Sequence, residues 1–440
     1  MGKSSPLCEQ QSKLGGPGPA IRPLSRRYAR GVFVLAFALA LTDFIDRQMI
    51  VSTFPFLKEE WGVSDTQLGA LVSVVSITVA VGALPIAHLA DRWSRAKSIA
   101  VMGSVWSVAA MACAAAGNYG QLVAARAAIG VGEAGYGPAG GALLAGMFPQ
   151  RLRATVAGAF QAAGPLGAVF GIVLGGLMVD RLGWRITLAF FSAPGLLLAL
   201  LFLRVRDHRA TGSAGVGAAE PSRRPGGVGE LLRARTAVAA YLGGAMQLVV
   251  LSTLYTWLPS FLTRSYGYTD AKAGAVAAVF IVASALGTVV LGYLADRAGA
   301  VRARNKLVVP AVLALVALTL LTAGFAWAPT GPVQLCLIIA GTFTVTAAIG
   351  PVPAVVMDVV EPGIRATALG MVTLVQNLFG LAVGPVLTGW LSDAYGLPTA
   401  LALMPLFCAG AAAALWCASR TYERELRTDA DHGAAPVHAH

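Results

Sequence analysis

The sequence predicts an all-α membrane protein with twelve transmembrane helices arranged as two pseudo-symmetric six-helix bundles. Three observations predict it. Apolar stretches of roughly 20 residues recur from end to end, each about long enough to cross a hydrocarbon core as a helix. Lys and Arg concentrate in alternate loops between those stretches. Two short motifs occur once in each half of the 440-residue chain, at similar offsets.

Composition supports the first observation. With 56% hydrophobic and 12% charged residues, the chain has too little polar surface to cover a soluble globule of its size. Helix is the spanning option for such runs, because lipid offers no partner to a free backbone amide. The 51 glycines fit this class, since small residues let membrane helices approach closely. Cys8, Cys113, Cys336, Cys408 and Cys417 are odd in number and lack metal-like spacing, so neither a disulfide framework nor a metal site is expected.

Residues 1–30 are polar, basic and rich in Gly and Pro, and are expected to form a cytoplasmic tail. The apolar run that follows lacks a small-residue cleavage site and is expected to stay as the first span. An N-terminal bundle over 31–204 takes spans near 31–54, 67–90, 97–117, 121–147, 154–179 and 185–204. Segment 205–235 carries Arg206, Arg209, Arg223, Arg224, Arg233 and Arg235 among small residues, as a basic cytoplasmic linker does. A C-terminal bundle over 236–418 takes spans near 236–262, 271–295, 306–328, 331–357, 366–391 and 397–418, leaving 419–440 as a cytoplasmic tail.

With both termini inside, about 26 of the 33 Lys and Arg fall on the inner side and about five on the outer, with Arg47 and Arg126 within spans. That bias orients the protein N-in, C-in, in the cytoplasmic membrane. It also accounts for the net charge of +12 without nucleic acid as a partner.

The repeat is specific. Leu89-Ala90-Asp91-Arg92 follows the second span and Leu294-Ala295-Asp296-Arg297 the eighth, 205 residues apart. Arg153-Ala154-Thr155 with Gly158 precedes the fifth span and Arg365-Ala366-Thr367 with Gly370 the eleventh, 212 apart. Both matches are in register with the spans, as a duplicated six-helix unit requires.

The Asp-Arg loops resemble the Gly-x-Leu-x-Asp-Arg-x-Gly-Arg signature of the major facilitator superfamily. The second copy keeps Gly292, Leu294, Asp296, Arg297 and Gly299; the first keeps Asp91, Arg92 and Arg95, with Ala87 and Ser94 in place of the glycines. Asp46-Arg47 in span one, Arg126 with Gly130-Val131-Gly132-Glu133-Ala134 in span four, and Asn377-Leu378-Phe379-Gly380 with Gly384-Pro385 in span eleven resemble the spinster-like branch, in which Asn commonly stands at the place of Asp43. The resemblance implies a secondary carrier, proton-linked in that branch, and lysolipid or sphingoid-type amphiphiles as a cargo class.

Charges inside spans cost about 2.5–3.5 kcal/mol each on insertion scales, which marks them for function. Asp43 and Arg47 share a face of span one, and Arg126 and Glu133 lie two turns apart on span four. A desolvated carboxylate is more stable neutral, and more stable ionised beside an Arg, so moving the Arg switches proton affinity. Asp46, Glu133 and Asp43 are therefore the candidate proton-coupling residues, with Arg47 and Arg126 as charge partners. Asp91, Arg92, Arg95, Arg153, Asp296, Arg297, Asp358 and Arg365 are the candidate cytoplasmic gate, accepting from and donating to helix ends while the inner side is shut. Tyr136, Gln161, Gln247, Tyr255, Trp257 and Asn377 are the candidate cargo contacts, a mix suited to an amphiphile or a weakly anionic organic molecule.

Other chemistries are disfavoured. Gly130-x-Gly132-x-x-Gly135 matches the dinucleotide fingerprint only formally, since no strand precedes it, and no phosphate-binding Gly-x-x-x-x-Gly-Lys-Ser/Thr loop exists for ATP-driven transport. Asp43 and Asp46 lie on one helix, whereas an intramembrane aspartyl protease needs carboxylates converging from two. His432, His438 and His440 are expected to be surface residues rather than metal ligands. The expectation is a monomeric carrier, without cofactor, of a small organic or amphipathic solute, with protons as the second partner; a sugar-acid or organic-anion symporter and a non-transporting sensor are the alternatives.

Overall fold

The computed structural model describes residues 26–92, 94–205, 234–360 and 364–433. The expected tail before residue 26, the expected linker from 206 to 233, the side chains of Asp91, Arg92 and Arg95, and His438 and His440 lie outside the described residues.

Nine helical stretches among the described residues are long and apolar enough to cross a membrane. One of them, Thr155–Arg204, is two spans folded at Gly183, whose φ of 75° a residue with a Cβ resists. Two further spans are shorter pieces because each breaks midway. Span four is Tyr119–Glu133 and Tyr136–Met147. Span ten is Pro332–Thr344 and Pro351–Asp358, joined by turns over 345–350. With these the chain has twelve spans.

Span one is Arg26–Ser52, followed by a short helix, Phe54–Trp61. Spans two and three are Asp65–Arg92 and Arg95–Ala114. Span five comprises Gln150–Gln161 and the part of Ala163–Leu201 before Gly183, and span six is the remainder. Spans seven, eight and nine are Arg235–Tyr266, Asp270–Val301 and Asn305–Thr322 with a π-helical end. Span eleven is Arg365–Val375, a π-helical turn Gln376–Leu381, and Val383–Tyr395. Span twelve is Leu397–Leu403 and Leu406–Gly433.

The segment expected as a tail from 419 begins as a continuation of that last helix, which runs to Gly433. Tyr422 donates to Asp358 at 2.7 Å, and the hydroxyls of Thr421 and Thr236 meet at 2.6 Å. These bonds give a polar segment something to pack against where the apolar pattern stops.

The end of the bundle where spans six and seven meet the linker is called the linker end, and the opposite one the distal end. At the distal end the repeat is visible in the backbone. A shift of 205 residues places Gly62 on Gly267, Asp65 on Asp270 and Gly69 on Gly274. Both capping glycines hold φ at 64°, closing their helices on carbonyls of the last turn.

The two halves touch along two equivalent seams, span two against span eleven and span eight against span five. A Cβ on Gly69 would lie 2.3 Å from the Pro385 carbonyl oxygen, and one on Gly274 would lie 2.5 Å from that of Ile172. Gly69→Val is therefore expected to force the first seam apart. At about 1–3 kcal/mol for overpacking, the rate of any process that needs the closed seam should fall roughly tenfold. Flux in proteoliposomes, with a size-exclusion profile to show that the protein stays folded, checks this.

Candidate functional site

Five ionisable residues converge inside the N-terminal half. Asp43, Asp46 and Arg47 occupy a little over one turn of span one, and Arg126 and Glu133 come from span four. What brings the two spans together is the glycine run that only formally matched a nucleotide motif. A Cβ on Gly130 would collide with Thr78 of span two, and one on Gly132 would lie 2.7 Å from the Trp106 nitrogen of span three. The missing side chains let span four sink between its neighbours and present its charges to span one.

One ion pair joins the two spans: the Arg47 guanidinium donates to a Glu133 carboxylate oxygen. Arg126 donates its Nε–H to the Leu71 carbonyl at 3.2 Å. Asp43 stands within electrostatic reach of Arg47 and Glu133, and Asp46 within that of Arg126. Asp43, Asp46, Arg126 and Glu133 are each less than a tenth exposed, whereas the Arg47 side chain keeps 26% of its surface open. Arg47 is thus the most exposed member of the group. Among the described residues, Asp43 Oδ1, Glu133 Oε1, Arg47 Nε and Arg126 Nη2 have no hydrogen-bond partner. Hydrogen-bonding capacity is left over on both signs of charge, which suits groups that change partners.

The expected cargo contacts are distributed unequally. Tyr136 sits next to the cluster and donates to the Ala36 carbonyl at 2.7 Å. In the other half, the Gln247 side-chain oxygen accepts from the Ala348 amide at 3.1 Å, where span ten is broken. Asn377 donates to the Thr373 carbonyl at 2.9 Å within the π-helical turn of span eleven. The Tyr255 hydroxyl is bonded to Ser284. Gln161 is exposed at the break in span five. Trp257 is fully buried, donates to the Pro385 carbonyl at 3.0 Å and packs on Phe54, so here it belongs to the contact between the halves.

At the linker end, Asp296, Arg297 and Arg365 are exposed, and Arg153 donates to the Phe148 carbonyl at 3.3 Å. Asp358 is held by Lys306 at 2.9 Å and by Tyr422, and not by the Arg365 expected as its companion. Lys306 is the second residue of span nine, and the fold sets it beside the last residue of span ten, 52 positions on.

Among the described residues, a charged contact between the halves lies at the distal end. Asp65, 2% exposed, accepts two bonds from Arg264 at 2.6 and 2.8 Å, one from Lys58 at 2.8 Å and one from Ser392 at 2.6 Å. Asp393 reciprocates, accepting from the backbone amides of Asp65 and Thr66 at 2.8 Å each. It thereby caps span two from span eleven. Sequence reasoning missed this clamp because each charge stands at the mouth of a span, where topology alone explains it. The Asp65/Asp270 and Gly62/Gly267 coincidence at 205 residues was the available signal.

The chain resembles known proteins in sequence and in fold. Residues 36–382 match the model of the Major Facilitator Superfamily. An MFS-type efflux pump of Mycolicibacterium smegmatis is 30% identical over 92% of this chain and 96% of its own length. The hexuronate transporter of Bacillus subtilis is 25% identical over 83% of this chain and 88% of its own. In three dimensions, a bacterial homolog of the human lysosomal transporter Spinster, solved inward-facing and unoccupied, superposes with a TM-score of 0.82 at 23% identity. It covers 91% of this chain, and 99% of that protein is matched. With its twelve spans, its internal repeat and a family match across most of its length, the chain belongs to the Major Facilitator Superfamily, as a multi-pass membrane transporter of small organic solutes and not an enzyme.

Proposed function

We propose that this transporter is a proton-coupled carrier of small organic acids, working by alternating access as a monomer in the cytoplasmic membrane. The linker end faces the cytoplasm in this reading, in keeping with the excess of Lys and Arg there. The distal end is then the outer gate, and its seams and Asp65 clamp hold it shut. Asp91, Arg92, Arg95, Asp296 and Arg297 serve the inner gate in the opposite state.

The observation that carries the proposal is the partly exposed Arg47 bound to the buried Glu133. A cargo carboxylate that reaches Arg47 competes with Glu133 for the same guanidinium. Glu133, deprived of its cation in a low-dielectric site beside Asp43, then takes up a proton. Cargo and proton enter together because one arginine cannot neutralise both carboxylates. Asp46 and Arg126, buried deeper, supply a second carboxylate and guanidinium through which the proton is passed or held. Gln247, Asn377 and Tyr136 supply neutral polar contacts for the remainder of the solute. The Bacillus relative is a transporter of hexuronate, an acid of this kind.

Export, here of an amphiphile, is the second reading; its direction is favoured by the mycobacterial relative, an efflux pump. The two separate in proteoliposomes under an imposed pH gradient, with D-glucuronate, benzoate and lysophosphatidylcholine as probes. Uptake of an acid that rises with the inward proton gradient and collapses with a protonophore is the expected result. Movement of the lysolipid without either acid contradicts the proposal, and binding without flux of any probe supports a sensor.

A further inference from the structure

Pro259 lies inside span seven, four residues after Tyr255. Proline has no amide hydrogen, so the Tyr255 carbonyl loses the donor that a helix would give it. At membrane depth such a group must find another partner. It finds one in the opposite half: Gln48 donates its side-chain amide to the Tyr255 carbonyl at 2.9 Å. Gln48 follows Arg47 directly, so this bond leaves span one from the same turn as the charged cluster. Gln48 is 8% exposed, and its Cβ lies 3.0 Å from where a Cβ on Gly171 of span five would stand, which confines it. The far side of Tyr255 is anchored as well, through its hydroxyl to Ser284 of span eight.

We infer that Gln48 is a positioning residue for transport, tying the charged turn of span one to the carbonyl that Pro259 frees on span seven while the distal end is closed. The inference rests on the alternating-access reading above and adds a residue that takes no charge and no proton. Spans one and seven must be adjacent at this level for the bond to form, and distal opening separates them. Loss of Gln48 therefore removes a bond from the distal-closed state and leaves a buried carbonyl without a donor. Restoring an amide hydrogen at position 259 gives that carbonyl a partner within its own helix and weakens the same tether from the other side.

The test places spin labels on Glu59→Cys and Tyr395→Cys, exposed distal residues in opposite halves, in the full-length protein with its native cysteines replaced and reconstituted in lipid nanodiscs. Gln48→Leu is expected to raise the ratio of distal-open to distal-closed distances about three-fold, the shift that an average interhelical hydrogen bond in a membrane protein supports. Pro259→Ala is expected to move the ratio in the same direction with Gln48 intact, and the double variant to go no further than Gln48→Leu alone. A Gln48→Leu ratio equal to wild type overturns the inference. So does a Pro259→Ala protein that matches wild type, since Gln48 would then act by packing without the freed carbonyl; this arm also stands if Gln48→Leu does not fold. A single wild-type distance that neither cargo nor Asp65→Asn alters overturns the alternating-access reading itself, and the tether with it.

Discussion

Glu133→Gln is expected to abolish uptake driven by a pH gradient, lowering it at least about tenfold, while exchange of cargo across the membrane without a gradient stays near wild type. A tenfold loss corresponds to about 1.4 kcal/mol of coupling free energy. The glutamine keeps the shape of the side chain and can neither ionise nor hold the Arg47 guanidinium as an ion pair. Arg47 is then free for cargo at every pH, so affinity should hold or rise while its dependence on protons disappears. Parallel measurements of gradient-driven uptake and of equilibrium exchange decide this. Gradient-driven uptake at the wild-type rate removes Glu133 from the coupling step.

Asp65→Asn carries the second largest expected effect, on conformation rather than on coupling. The carboxylate receives four donors, three of them from cations. Breaking a buried pair by removing one partner costs about 3–5 kcal/mol. Arg264 and Lys58 remain 36% and 45% exposed, and solvent screening reduces their share to roughly 1–2 kcal/mol. The distal-closed state should lose about tenfold in population. The backbone amides of Asp65 and Thr66, capped by Asp393 only while that end is shut, should exchange hydrogen faster. Protection equal to wild type at these two amides shows that the clamp does not hold the gate.

Much of this architecture was legible in the sequence because hydropathy in a membrane protein reports the number of crossings directly. The twelve spans, the two halves and the identity of Asp43, Asp46, Arg47, Arg126 and Glu133 all follow from the fact that lipid tolerates few charges. The interruptions were not read from hydropathy. Spans four, five, ten and eleven bend or unwind at 134, 162, 345–350 and 376–381, and Pro138, Pro165, Pro351 and Pro385 stand just after those breaks, where each withholds an amide hydrogen that an unbroken helix uses. A hydropathy pattern does not register such residues. The pairing of Arg47 with Glu133 has another origin, contact between helices. Spacing along one helix places Arg126 and Glu133 on one stripe, yet the depth set by Gly130 and Gly132 decides which of them each span-one residue meets. The extension of span twelve to Gly433 was hidden for the opposite reason, since a polar helix held by Asp358 and Thr236 carries no apolar signal.

Proton uptake on cargo binding tests the exchange of partners at Arg47 most directly. Calorimetric titration of the purified transporter with D-glucuronate, in two buffers of different ionisation enthalpy at the same pH, reads that uptake as the difference between the two apparent binding heats. The expected result is net proton uptake in the wild-type protein and none in Glu133→Gln. Binding heats that agree in both buffers for the wild-type protein would mean that an acid can occupy the site while Glu133 keeps its charge, contradicting the exchange on which the transport cycle depends.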